Sequence, residues 1–268
     1  MSEPKAVIIT DYLTKTYGDV PAVEAVSMTV MEGEIVGLIG PNGAGKSTLI
    51  KMLTTLLPPS SGDALIAGYS ILTAPAKVRA HIGYVPQLLS SDGNLTGYEN
   101  LLMSARLYLV PHHEREERIR SALALMELAD AGDRLVQHYS GGMIRRLEIA
   151  QAMLHEPAIL FLDEPTVGLD PVARHGIWKH MRELRDRVGM TMLMATHQMD
   201  EAEALCDRIA ILHDGRLQAI GTPGALKADV SPDATLDDVF AAITGSEIAK
   251  EGSLRLIQQG RSSAHAHS

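Results

Sequence analysis

The sequence contains little of what would mark a secreted, membrane-spanning or nucleic-acid-binding protein. Its 268 residues include a single cysteine, Cys206, which excludes an internal disulfide framework and fits a reducing compartment. No apolar run approaches the roughly 18 residues that a membrane-spanning helix needs, and the first residues lack the apolar stretch of a secretion signal. Acidic residues outnumber basic ones by 33 to 24, and the net charge of −9 argues against a basic surface for nucleic acid and against electrostatic attachment to anionic lipid. We therefore expect a cytoplasmic chain without direct membrane insertion, whose role at any membrane comes from a partner.

A glycine-rich run that fits the pattern G-x-x-x-x-G-K-[ST] is the strongest signal that the sequence does contain. It follows an apolar stretch, 35–39, and precedes a stretch of helical character, which is the strand–loop–helix context of a phosphate-binding loop. Backbone N–H groups of such a loop converge on phosphate oxygens at the start of a helix, where the field favours an anion. The sequence therefore predicts a site for a nucleoside triphosphate made by Gly40, Pro41, Asn42, Gly43, Ala44, Gly45, Lys46, Ser47 and Thr48. Within it, we expect Lys46 to reach the β/γ-phosphates and Ser47 to bind Mg²⁺.

Two adjacent carboxylates, Asp163 and Glu164, end the apolar run 159–162. One carboxylate is enough to hold the water shell of Mg²⁺. A second one beside a polyphosphate is costly unless it has a task, and polarising the attacking water is the obvious one. We therefore predict that Asp163 binds the metal and that Glu164 is the general base that activates the attacking water. The alternative is a strand that ends in a solvated acidic turn.

A second possible anion site is the sequence Ser140-Gly141-Gly142 ahead of a helical run. Serine is a good residue to cap a helix, and the two glycines leave the first N–H groups of the helix accessible. Since the loop at 40–48 already holds one triphosphate, a simple use of both sites is to share each nucleotide between two copies of the chain. Helix capping alone remains the other interpretation. The following residues, Arg145 and Arg146, are interpreted as a solvated helix face or an intersubunit contact.

The pattern of apolar runs predicts an α/β fold. The N-terminal part is predicted to contain a strand at 25–30 and, after the phosphate-binding loop, a short strand pair at 64–67 and 82–85. Strand-like segments at 158–162, 190–194 and 208–212 are almost continuously apolar and are separated by helical stretches, which indicates a mostly parallel sheet with helices on both faces. We predict a P-loop NTPase core (RecA-like) with a β-rich N-terminal portion and an inserted helical subdomain. Within a domain of residues 5–245, the predicted parts are a core at 5–90 and 157–225, a helical insert at 91–156 and a closing helix at 233–245. Residues 246–268 are predicted to be a disordered tail.

Taken in order, these motifs resemble the ATP-binding subunits of ABC transporters. The resemblance covers roughly residues 5–245 and adds further residues to the predicted site. It implies that Tyr17 stacks on adenine, that Gln87 senses Mg²⁺ and the membrane partner, and that His197 contacts the γ-phosphate. It also implies that Ser140, Gly141 and Gly142 contact the nucleotide of the opposite subunit, and that Asp170 lies in a loop that crosses between subunits. The implied cofactors are ATP and Mg²⁺, and the implied partners are a transmembrane permease and a second ATP-binding subunit, expected to be an identical copy that pairs in the presence of ATP.

The motif around Ser140 departs from the usual family sequence, Leu-Ser-Gly-Gly-Gln, because this chain has Tyr139 and Met143 at its ends. A Tyr-Ser-Gly-Gly-Met motif followed by Arg-Arg-Leu is similar to the ABC-2-type exporters of the daunorubicin-resistance and sodium-extrusion kind. The resemblance therefore implies an ATPase that powers the export of a drug, lipid or similar substrate, located at the inner face of the cell membrane through its permease.

Two other functions compete with export. A soluble ABC ATPase acting on ribosomes or DNA would carry two cassettes, or a long coiled-coil insertion, whereas only about 50 residues separate Gln87 from Tyr139. A GTPase switch would need an Asn-Lys-x-Asp motif to read the base, and the sequence has none.

Overall fold

Eleven β-strands make up the two sheets of the part of the chain that the structure describes. The structure is a computed structural model, and it describes residues 5–245. In chain order, the strands are β1 (Ala6–Tyr17), β2 (Val20–Val26), β3 (Thr29–Met31), β4 (Ile35–Ile39), β5 (Ser61–Ile66), β6 (Tyr69–Ser70), β7 (Ile82–Val85), β8 (Ile159–Asp163), β9 (Thr191–Thr196), β10 (Arg208–His213) and β11 (Arg216–Gly221).

Nine α-helices accompany these strands within the same residues. They are α1 (Lys46–Leu53), α2 (Pro75–Ala80), α3 (Gly97–Leu107), α4 (Arg115–Leu125), α5 (Gly141–Met153), α6 (Pro171–Val188), α7 (Met199–Leu205), α8 (Pro223–Ala228) and α9 (Leu236–Thr244). None of the helices described between residues 5 and 245 combines the length and the apolar character needed to cross a lipid bilayer.

The larger sheet is the one that organises the functional residues. Its six strands lie in the order β11-β10-β4-β9-β8-β7, and all neighbours are parallel except β10 and β11. Every residue of β4, β8 and β9 is buried, as expected for strands covered on both faces. The predicted α/β fold with a mostly parallel sheet is therefore confirmed.

Apolar side chains of this sheet pack into two separate clusters, one on each face. The alternation is clear in β4, where Ile35 and Ile39 join one cluster and Val36 and Leu38 join the other. The first cluster is completed by α3, α4, α5, α6 and α7, and the second by α1 and the antiparallel sheet. The antiparallel sheet has the strand order β2-β1-β5-β6, with β3 paired to β1.

Four adjacent strands of the larger sheet place the predicted site residues side by side. The phosphate-binding loop follows β4, His197 follows β9, Asp163 and Glu164 end β8, and Gln87 follows β7. Because these strands are parallel neighbours, their carboxyl ends meet at one edge of the sheet, where α/β proteins bind their ligands.

Two details of the predicted strand pattern were wrong. The runs at 64–67 and 82–85 were predicted to pair, but β5 pairs with β1 and β6, whereas β7 joins the larger sheet beside β8. The run at 25–30 was predicted as one strand, but it is divided between β2, which ends at Val26, and β3, which begins at Thr29. Both errors concern partners chosen by contacts distant in sequence. The predicted domain boundaries stay predictions, and the predicted disordered tail at 246–268 lies outside the described residues.

Candidate nucleotide-binding site

The loop at 40–48 follows a path that glycine alone permits at two of its positions. Gly45 has a φ of 100°, and a Cβ atom there would lie 2.3 Å from the carbonyl oxygen of Ala22. A Cβ atom on Gly40 would lie 2.3 Å from the carbonyl oxygen of Leu212. The loop therefore fits tightly against β2 and β10, and α1 starts directly after it at Lys46.

Lys46 is buried at the start of α1 and holds the loop from within. Its Nζ donates to the carbonyl oxygens of Gly40 at 2.7 Å and Pro41 at 3.0 Å, and it lies 3.9 Å from Oε1 of Glu164. Burial lowers the pKa of the Lys46 ammonium, while the carboxylates of Glu164 and Asp163 oppose that shift. The ammonium group of Lys46 thus lies within the loop that is predicted to hold the phosphates.

Asp163 and Ser47 meet across the site. The Ser47 hydroxyl donates to Oδ1 of Asp163 at 2.9 Å. Burial raises the pKa of the Asp163 carboxyl, the Ser47 hydrogen bond lowers it, and the neighbouring Glu164 raises it further. A hydroxyl and a carboxylate are both hard oxygen ligands, the kind that Mg²⁺ takes when phosphates and water supply the rest. The residues present therefore fit the predicted metal.

Glu164 is held in position by contacts with three neighbours. Its φ of 50° is unusual for a residue other than glycine, and its N–H donates to the carbonyl oxygen of Ala195 at 2.9 Å, which ties the turn after β8 to β9. In its side chain, Oε2 accepts from Nε2 of Gln87 at 3.1 Å, and Oε1 lies 3.1 Å from Nδ1 of His197. The carboxylate is only 8% exposed. It is thereby aimed at the edge of the sheet where the four strands end.

These groups enclose a cavity of about 340 Å³. Its lining consists of Ala22, Asn42, Gly43, Ala44, Gly45, Lys46, Ser47, Thr48, Gln87 and Glu164. Ala22 was missed by the sequence reading, and no local signal marks it, since it belongs to β2 and reaches the loop only through the fold. Tyr17, which was predicted to stack on adenine, is half exposed at the end of β1, where it pairs with Val20 rather than lining the cavity.

The residues predicted to serve a second copy of the chain lie apart from this cavity. Ser140, Gly142 and Asp170 line a separate depression of about 360 Å³ between α5 and α6. Two of these residues cap helices. Ser140 Oγ accepts from the N–H of Met143 at 3.3 Å at the start of α5. Asp170 Oδ1 accepts from the N–H groups of Val172 and Ala173, both at 2.9 Å, at the start of α6. The two glycines face α6 and the loop before it, since a Cβ atom on Gly141 would lie 3.3 Å from Leu169 and one on Gly142 would lie 2.9 Å from Ala173.

The structure explains both unusual residues of this motif. Tyr139 is buried, and its hydroxyl donates to the carbonyl oxygen of Ala131 at 2.6 Å. The same hydroxyl would lie 2.3 Å from a Cβ atom on Gly97, so the first residue of α3 must be glycine if tyrosine is present here. Met143, the other departure, is partly buried and packs against the apolar cluster around α5. Both residues therefore serve packing between α5 and its neighbours.

The interpretation of Arg145 as a solvated or intersubunit residue was wrong. Its side chain is 2% exposed, and its guanidinium donates to the carbonyl oxygens of Pro86 and Gln87 at 2.7 and 2.8 Å. A signal was present in the sequence, because Glu148 follows three residues later in an otherwise apolar part of the helix. Arg146, by contrast, is partly exposed and forms an ion pair with Glu127.

Comparison with known proteins gives consistent matches. The family described as ABC transporter matches residues 23–167, more than half of the chain. The daunorubicin/doxorubicin resistance ATP-binding protein DrrA of Streptomyces peucetius is 44% identical over 229 residues, which are 85% of this chain and 69% of that protein. The Nod factor export ATP-binding protein I of Rhizobium meliloti is 44% identical over 223 residues, 83% of this chain and 66% of that protein. The chain thus spans about two thirds of the length of these relatives.

Among solved structures, a dimeric ATP-binding cassette in a post-hydrolysis state, bound to ADP and phosphate, superposes with a TM-score of 0.72 at 28% identity. The superposition covers 80% of this chain and 98% of that one.

Proposed function

The chain belongs to the ATP-binding proteins of the ABC transporter family and is an ATPase of its export type, and we propose that it drives efflux of a lipophilic drug or lipid through a separate membrane-spanning protein. Its relatives are named for daunorubicin resistance and for Nod factor export, which supports a substrate of that kind. The observation that carries the proposal is the position of Glu164, which lines the same cavity as the phosphate-binding loop and lies between Gln87 and His197.

Each group around the cavity has a proposed role in hydrolysis. The N–H groups of the loop and the ammonium group of Lys46 hold the phosphate oxygens. Glu164 accepts the proton of the attacking water as general base. A doubly protonated His197 would donate from Nδ1 to Glu164 and from Nε2 to an oxygen of the γ-phosphate, which can only accept. Gln87 fixes the other carboxylate oxygen and therefore keeps the base pointed at the water.

Asp163 and Ser47 are the proposed ligands of Mg²⁺. The metal supplies positive charge that offsets the charge developing on the phosphate oxygens. The contribution of the chain is to hold one carboxylate and one hydroxyl oxygen 2.9 Å apart at the end of β8. Burial raises the pKa of the Asp163 carboxyl. A cation bound beside it would lower that pKa and favour the ionised carboxylate.

We propose further that each nucleotide is shared between two identical copies of the chain. Ser140, Gly141 and Gly142 of one copy contact the nucleotide held by the loop of the other, and Asp170 lies in the segment between them. The similar solved cassette that is dimeric supports this arrangement. Tyr17 is proposed to stack on the adenine ring, for which its half-exposed ring at the end of β1 is available.

The proposed contact with the membrane-spanning partner lies in the segment that follows Gln87. Exposed apolar side chains recur there, with Leu88 at 81% and Leu89 at 52% exposure, and others at Met103, Leu107, Tyr108 and Leu109. Exposed apolar side chains that gather in one segment favour burial against another protein. We propose that they hold a short helix of the partner, so that closure of two copies on ATP moves that helix. No observation favours the alternative of a soluble ATPase acting on ribosomes or DNA.

Co-purification from detergent-solubilised membranes tests this function. A chain with both Leu88→Glu and Leu89→Glu is expected to lose at least about tenfold of its membrane-spanning partner, since burying a leucine contributes roughly 1.5–3 kcal/mol. The matched control is Leu72→Glu, which introduces the same charge at a leucine that is 51% exposed outside this segment, and it should co-purify like the unmodified chain. Recovery of ribosomes or DNA instead of a membrane protein would contradict the proposed function.

A further inference from the structure

Side chains on one face of helix α5 form hydrogen bonds with the loop that carries Gln87. Three polar side chains spaced by three residues, Arg145, Glu148 and Gln151, lie along that face and contact the segment at 86–91. That segment leads from the end of β7 towards α3. None of the three side chains lines the nucleotide cavity. They therefore bind the loop from outside the nucleotide cavity.

The side chains of Arg145 and Glu148 are buried, and the contacts follow the loop in chain order. Arg145 donates to the carbonyl oxygens of Pro86 and Gln87, and it forms an ion pair with Glu148 at 3.0 Å. Oε1 of Glu148 accepts from both the N–H and the hydroxyl of Ser90. Oε1 of Gln151 accepts from the Ser91 hydroxyl at 2.9 Å. Since Arg145 and Glu148 are each about 2% exposed, removing either one would leave a buried charge without its partner.

These hydrogen bonds connect two parts of the chain that are proposed to take part in ATP hydrolysis. At one end, α5 begins immediately after Ser140, the residue proposed to face the nucleotide of the other copy. At the other end, the loop presents the Gln87 amide, which donates to Oε2 of Glu164 at 3.1 Å. A displacement of α5 is therefore transmitted through Arg145 to the backbone of Gln87, and from its side chain to the proposed base.

We propose that Arg145 is a positioning residue, which holds Gln87 against Glu164 and makes hydrolysis in one copy depend on the placement of the helix that faces the other. This inference rests on the proposed function. A buried ion pair kept only for stability would need no particular acceptors on the loop. Here the planar guanidinium spans two successive carbonyl oxygens, which fixes both the position and the orientation of the loop.

A double-mutant cycle of Arg145→Gln with Gln87→Ala, measured by steady-state hydrolysis of Mg·ATP by the full chain, tests the inference. Because Arg145 acts through Gln87, Arg145→Gln should lower kcat roughly tenfold in the otherwise unmodified chain but less than about twofold in the Gln87→Ala chain. KM for ATP should change less than about twofold in both, since the phosphate-binding loop is untouched. Equal losses of kcat in the two backgrounds, or no loss in either, would overturn the proposal.

A matched control and a second pair of substitutions separate positioning from folding. Arg118→Gln removes a guanidinium that also donates to a backbone carbonyl, that of Leu154. The Arg118 side chain forms ion pairs with Glu114 and Glu156 as well. It belongs to α4 and is well separated in sequence from the loop. Arg118→Gln should leave kcat within about twofold of the unmodified value. If Arg145→Gln does not fold, Arg145→Met combined with Glu148→Leu removes both buried charges together and takes its place in the cycle.

Amide hydrogen exchange gives a readout that does not depend on activity. In Arg145→Gln, exchange at residues 87–91 should become at least about tenfold faster, while exchange in β8 and β9 stays unchanged. Unchanged exchange in the loop would overturn the proposal. A wild-type chain that does not hydrolyse ATP would contradict the proposed function itself, whereas an active wild-type chain with an additive cycle would contradict only the role of Arg145.

Discussion

Single residues in this chain are often constrained by a neighbour that is remote in sequence. Glu164 adopts a positive φ and is held at both carboxylate oxygens by residues from two other strand ends, Gln87 and His197. Strained backbone of this kind persists where surrounding contacts over-determine it, and it gathers at sites of function. At the residue scale, the site is therefore a set of side chains whose positions are fixed by contacts between the ends of neighbouring strands.

Cys206 illustrates the opposite case, a reactive residue type that the fold makes inert. Burial raises the pKa of its thiol, and the carboxylates of Glu201 and Asp207 raise it further. Its Sγ lies 2.6 Å from where a Cβ atom on Gly37 would be, so it packs directly against the backbone of β4.

We predict that Cys206 reacts with a thiol reagent such as DTNB at least about a hundredfold more slowly in the native protein than in urea, because reaction requires local opening. As this is the only cysteine of the sequence, the whole signal belongs to it. Labelling of the native protein at the rate of the unfolded chain would contradict the packing described for β4.

At the scale of elements, α5 contributes to function with both its N-terminus and its side. Its first residues line the depression proposed to face the other copy, while Arg145, Glu148 and Gln151 hold the loop of Gln87. The N-terminus of a helix favours an anion, which suits it to the γ-phosphate of a shared nucleotide.

A carboxylate placed at the N-terminus of α5 should prevent two copies of the chain from sharing a nucleotide. Gly141 suits the test better than Gly142, because a Cβ atom on Gly142 would lie 2.9 Å from Ala173, whereas Gly141 is exposed and would contact only the end of Leu169. In a Glu164→Gln chain, which we expect to retain bound ATP, adding Gly141→Asp should abolish pairing by repelling the γ-phosphate.

The measurement is light scattering with Mg·ATP and with ADP. The Glu164→Gln chain and its control with Gly141→Ala should show the mass of two chains with ATP and of one with ADP. The variant with Gly141→Asp should show one chain in both. If it pairs as readily as the Gly141→Ala control, the N-terminus of α5 does not face the shared nucleotide.

At the scale of the whole molecule, the sequence predicts well whatever a local run of residues determines. Apolar strands that end in polar motifs located the loop at 40–48, Asp163 and Glu164, and the parallel sheet brings them together because the carboxyl ends of its strands meet. Strand partners were predicted less well. The sheets to which β5 and β7 belong, the contact of Ala22 with the loop, and the burial of Arg145 all depend on contacts between distant segments.

Hydrolysis of ATP is the activity on which the account of the whole molecule depends, and Glu164 is the residue proposed to perform it. The most direct test is therefore the rate of phosphate release by the full chain compared with Glu164→Gln, with ATP binding measured on the same samples. We predict that Glu164→Gln lowers turnover by about 10²–10⁴, the usual contribution of a general base, and leaves ATP binding intact because the loop, Lys46, Ser47 and Asp163 remain. Lys46→Ala should instead weaken binding and hydrolysis together. Equal rates of phosphate release from Glu164→Gln and the unmodified chain would contradict the account.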